Sequence, residues 1–136
     1  MNPLSSRGFL LLGGIILVVL GVSGLTVLGP TPEASLLGDF NWLDQGENVA
    51  HLLFGVVALG AYFMLKDAML TKWLVALVGV VALVATVAGF LNGSAAVPNV
   101  GFTNLEMSDN VLHLVVALWA FAAAFMGSKA QATAEM

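Results

Sequence analysis

The only two histidines of the chain, His51 and His113, stand in the same local string. Phe40–Met64 (FNWLDQGENVAHLLFGVVALGAYFM) and, 62 residues later, Phe102–Met126 (FTNLEMSDNVLHLVVALWAFAAAFM) share Phe, Leu, two acids, Asn-Val, His-Leu, Ala and Phe-Met at matching positions. On a helix, residues at i−4, i−3, i+4 and i+7 share the face of residue i. For His51 these are Glu47, Asn48, Gly55 and Ala58; for His113 they are Asp109, Asn110, Ala117 and Ala120. Each imidazole thus has an acid and an amide on one side and small residues on the other.

Three chemistries fit that pattern. In the first, each histidine donates a hydrogen bond to a carbonyl or carboxylate of a neighbouring helix and fixes the bundle. Asn48 and Asn110 are good helix N-caps, the acids suit the positive end of the helix dipole, and small residues let helices approach closely. In the second, His51 and His113 are axial ligands of a haem or chlorophyll. The i−4 carboxylate would orient each ring, Asn48 and Asn110 would support it, and Gly55 and Ala117 would leave space for the flat macrocycle. In the third, Glu47, His51, Asp109 and His113 supply two nitrogens and two carboxylates to a metal ion such as zinc. No residue names a particular cofactor.

Other chemistries are excluded. The absence of cysteine removes disulfides, thiolate nucleophiles and iron–sulfur clusters. A net charge of −4 with four basic residues argues against nucleic acid, which needs a basic face. Ion conduction finds no path, because the halves of the helices beyond the histidines hold no ionisable residue. Hydrolytic catalysis finds no serine within an elbow or oxyanion signature. The chain is therefore expected not to be an enzyme.

The elements that hold these residues are apolar. At 136 residues the chain is 60% hydrophobic and 9% charged, with strongly positive mean hydropathy, the composition of an integral membrane protein. Four spans are expected, at about 9–29, 49–65, 73–91 and 111–126, within one domain covering 1–136. The first is too long for the apolar region of a signal peptide and is expected to be retained. Pro30 and Pro32 end it, Asn92–Asp109 has the composition of an irregular loop, and Gly127–Met136 reads as a short tail.

Orientation follows from the basic residues, which are retained on the cytoplasmic side. Arg7, Lys66, Lys72 and Lys129 fall on one side, and six of the eight acids (Glu33, Asp39, Asp44, Glu47, Glu106 and Asp109) fall on the other. Both termini are then cytoplasmic, in an inner or cell membrane. Each half is a hairpin that starts and ends inside, so the two halves form a parallel repeat. His51 and His113 lie at equal depth, near the exterior surface.

With an acid before its doubled N-V-x-H-L string and four spans around it, the chain resembles a family of small four-helix bacterial integral membrane proteins of unknown function. The similarity covers Asn48–Gly60 (NVAHLLFGVVALG) and Ser108–Ala117 (SDNVLHLVVA), and Ala117 stands where that family more often has Gly. The resemblance implies an all-α membrane fold with four transmembrane helices in two helical hairpins, and it supplies no activity to carry over. The leading expectation is a structural or accessory subunit in the lipid bilayer, docked on other membrane subunits or on copies of itself. The alternative is a tetrapyrrole-binding subunit of an electron-transfer or light-harvesting complex.

Overall fold

The computed structural model describes residues 2–93 and 103–127. Lys129, the tail beyond Gly127 and residues 94–102 of the expected loop lie outside them. Four helices carry the fold: α1 (Ser6–Thr26), α2 (Gln45–Met64), α3 (Ala68–Asn92) and α4 (Met107–Phe125). Each is long and apolar enough to cross a membrane. Two short 3-10 turns, Pro32–Ala34 and Gly38–Phe40, punctuate the α1–α2 connection, and the bridge Leu28–Ser35 is the isolated β-pairing found among the described residues. The all-α membrane-type fold read from the sequence is the observed one.

Each helix begins several residues before its apolar run, because a side chain caps it in the polar flank. Ser5 accepts the Gly8 N–H at 3.0 Å, and Asp67 accepts that of Leu70 at 2.7 Å. Asp44 accepts the Glu47 N–H at 2.9 Å, while the Glu47 carboxylate takes the Asp44 N–H at 3.2 Å, a reciprocal capping box. At α4 the Asp109 carboxylate takes the Glu106 N–H at 3.0 Å. The expectation that Asn48 and Asn110 cap these helices is corrected: the caps are Asp44 and Glu106, four residues earlier. His51 and His113 therefore sit almost two turns into their helices, about 9 Å along the axis from the first helical residue.

The helices pair as two hairpins, α1 with α2 and α3 with α4, and α1 also meets α3 and α4. Small residues set the pairing. Where Gly14 faces Gly55, a Cβ on Gly55 would come within 2.9 Å of the Val18 nitrogen and 3.0 Å of the Gly14 carbonyl, so α1 and α2 touch backbone to backbone there. In the second hairpin Gly79 meets Ala120 and Phe121. The hairpins join through an apolar core of Phe9, Leu10, Val75, Ala76, Ala120, Ala123 and Ala124. Trp119 locks the chain start onto it, with its ring 4.5 Å from that of Phe9 and its Nε1 donating to the Pro3 carbonyl at 2.8 Å.

The basic end also repeats its devices. Arg7 donates to the Leu65 and Tyr62 carbonyls at 2.7 and 2.9 Å and lies 4.8 Å from the Tyr62 ring, so a cation closes the C-terminus of α2. Lys72, its counterpart in α3, lies 5.1 Å from the Phe125 ring at the C-terminus of α4. Large apolar side chains, among them Val19, Phe54, Val57, Phe63, Val84 and Leu118, point away from the bundle.

Candidate functional site

At the opposite end the N-termini of α2 and α4 meet in a buried polar cluster. Glu47, Asn48, Asp109 and Asn110 are all at most 4% exposed, and Thr103 and Asn104 at most 8%. Their burial comes from an exchange between hairpins. Thr103 Oγ1 and the Asn104 N–H donate to Asp44 Oδ2 at 3.0 and 2.6 Å. In return Asn41 Nδ2 donates to Ser108 Oγ at 3.1 Å and Asp109 Oδ1 at 3.2 Å. The segment leading into each helix thus clasps the start of the other.

Asn48 and Asn110 have a role that their sequence position hides. Asn48 Nδ2 donates to the Leu43 carbonyl at 3.1 Å, which turns its Oδ1 onto the backbone of Gly24 in α1. A Cβ at Gly24 would overlap that oxygen, and a Cβ at Gly89 in α3 would overlap the Asn110 Oδ1 in the same way. Neither oxygen has an N–H or O–H donor, and each packs directly against the glycine of the neighbouring helix. Each carboxamide therefore fastens the two helices of its own hairpin.

Glu47, Glu106 and Asp109 each place a carboxylate oxygen within 4.8 Å of the others. Burial, then the contact with Asp109, pushes the Glu106 carboxyl up to about 9, because like charges this close disfavour common ionisation. Of the four metal ligands expected from the sequence, Glu47 and Asp109 are brought together; Glu106 joins them, and the imidazoles lie outside that close group. The two rings lie on the same helices as Glu47 and Asp109, one turn further along. Their Nδ1 atoms are buried without a hydrogen-bond partner among the described residues.

The groove expected below the histidines is filled by protein. Gly55 is closed by Val18 and Gly14 of α1, and Ala117 and Ala120 are at most 1% exposed. Among the described residues, these small side chains bring helices together on that face. An open groove of about 680 Å³ does reach the site, at its rim, passing Phe40, Asn41, Glu106 and Ser108.

Sequence reasoning missed Glu106, Asn104 and Gly89, and read Gly24 as a helix-packing glycine without its partner. Glu106 was detectable, since it occupies in the second string the place of Asp44 in the first. The glycines were detectable too: a shift of 65 residues superposes Ser6, Arg7, Leu10, Gly14 and Gly24 on Thr71, Lys72, Val75, Gly79 and Gly89.

Four membrane-type helices in two clasped hairpins, with a buried acid cluster at one end, define a small multi-pass membrane protein. The profile of DUF4383, a domain of unknown function, matches residues 7–126. The chain belongs to that family. No curated protein and no solved structure matches it.

Proposed function

We propose that this protein is a non-catalytic accessory subunit of a membrane assembly, held in the inner membrane with both termini in the cytoplasm. The observation that carries this reading is the division of labour among its side chains. Polar groups suited to chemistry are turned inward and spent on tying helices, as Asp44, Asn48, Asp109 and Asn110 are. Large apolar side chains cover the outside of all four helices, which suits lipid and the flanks of neighbouring helices. No serine hydroxyl among the described residues is hydrogen-bonded to an imidazole, as a nucleophile and its base would be.

Gentle extraction from the native membrane tests the role. The chain should migrate in a complex larger than its own 14.1 kDa plus detergent, and migration only as a monomer after crosslinking in the intact membrane refutes it. Because the chain has no cysteine, single cysteines report orientation cleanly. A membrane-impermeant maleimide applied to intact cells should label Leu36→Cys and spare Ala68→Cys; the reverse pattern refutes the stated topology.

A further inference from the structure

Carboxylates crowded together are relieved by a bound proton or by a cation, and among the described residues no basic side chain serves this acid cluster. Among the described residues, Arg7 is hydrogen-bonded at the C-terminus of α2, Lys72 lies against Phe125, and Lys66 directly follows α2, all at the far end of the bundle. Glu47, Glu106 and Asp109 nevertheless hold oxygens within 4.8 Å of one another.

A second observation comes from a residue that is not an acid. Asn104 is 7% exposed; its Nδ2 donates to Glu106 Oε1 at 3.3 Å and its N–H to Asp44 Oδ2 at 2.6 Å. These bonds hold the carboxamide against the cluster, yet its Oδ1 is buried with no donor. Glu47 Oε1 and Glu106 Oε2 share that condition. Buried polar atoms are normally satisfied, and among the described residues no hydrogen-bond donor reaches any of these three oxygens.

We propose that Glu47, Glu106, Asp109 and Asn104 form a binding site for one hard divalent cation of the calcium type. The donors are all oxygens, three carboxylates and one amide carbonyl, which is the preference of a hard cation. Calcium–oxygen distances of about 2.3–2.6 Å let one ion bridge oxygens separated by the observed spacing. Zinc would draw on the imidazoles, which stand outside the close group. The rim groove beside Glu106 is the entry path. A cation here would join α2, α4 and the segment before α4, adding a metal tie to the hydrogen-bonded clasp. This inference is independent of the accessory role, which concerns the lipid-facing surface.

The test is calorimetric titration of the full chain in detergent, stripped with EDTA, with calcium chloride at fixed ionic strength, followed by magnesium, manganese and zinc. One calcium per chain is expected, with a rise in Tm on binding. Glu106→Gln and Asn104→Ala should each weaken binding at least tenfold while circular dichroism shows the helices intact. Should either fail to fold, Asn104→Asp keeps a carbonyl-type oxygen and adds charge, and it should bind calcium at least as tightly as the parent. The proposal is overturned by the absence of saturable calcium binding to the wild-type chain, or by binding that neither loss variant weakens. It is equally overturned by zinc binding that the His51→Ala/His113→Ala double variant abolishes and Glu106→Gln spares.

Discussion

Gly24→Ala isolates the fastening that sets the first hairpin. The new methyl group would occupy the position of the Asn48 Oδ1, and Asn48 is fully buried, so its carboxamide has no free rotamer into which to retreat. Overpacking of this kind costs about 1–3 kcal/mol. Displacing the amide also breaks the Nδ2 bond to the Leu43 carbonyl, and an unsatisfied buried group costs about 1–3 kcal/mol. Against this, alanine is favoured over glycine inside a helix by about 1 kcal/mol. The net expectation is a loss of about 1–5 kcal/mol, centred on about 3. Gly60→Ala is the internal control, since no atom lies within 4 Å of a Cβ there, and it should leave stability unchanged or raise it by about 0.5–1 kcal/mol. Unfolding by SDS titration in mixed micelles, followed by circular dichroism, reads both. Adding Asn48→Ala to Gly24→Ala should recover part of the loss, giving a coupling energy of about 1 kcal/mol or more. Equal stabilities for Gly24→Ala and Gly60→Ala, or strict additivity of Gly24→Ala with Asn48→Ala, would refute the assignment.

Three further expectations follow from other contacts. Arg7→Ala removes two carbonyl bonds and a ring contact at the end of α2 and should cost about 1–3 kcal/mol in the same titration, with Arg7→Lys losing less because a cation remains. Glu106 binds its proton up to about pH 9 in the folded chain against an ordinary value of 4.5. The folded state then holds more protons than the unfolded one between those values, so the Tm measured in EDTA should fall as pH rises from 5 to 9, and Glu106→Gln should flatten that slope. The orphaned Nδ1 atoms of His51 and His113 contribute no hydrogen bond, so replacing both rings by leucine should change stability by less than about 1 kcal/mol; a larger loss in SDS titration would show that the imidazoles have partners.

Much of the bundle was legible in the sequence because hydropathy and length alone define a membrane helix, and the doubled acid-Asn-x-x-His string placed α2 and α4 in equivalent settings. Cap positions were less so. Asparagine is a favoured cap, and reading Asn48 as one ignored Asp44 and Glu47, whose spacing of three is itself a capping signature. The partner of Asn48 was harder still, because it lies on another helix 24 residues earlier, whereas Asn110 follows its glycine by 21. Connections of unequal length shift α1 and α3 out of the register that α2 and α4 share, so one offset cannot display the whole correspondence. The small residues beside the histidines were ambiguous for another reason. A glycine or alanine face admits a macrocycle and a second helix equally, and only packing shows which arrives.

The crossed clasp has a consequence for how the protein is made. Asp44 Oδ2 receives hydrogen bonds from Thr103 and Asn104, residues synthesised about 60 positions later. When the first hairpin enters the bilayer, that acceptor is still open to water or headgroups, and Glu47 has yet to meet Asp109. The acceptors of the first hairpin are therefore completed by residues of the second, and the half-burial of Asp44 and the burial of Glu47 require both hairpins to be in place.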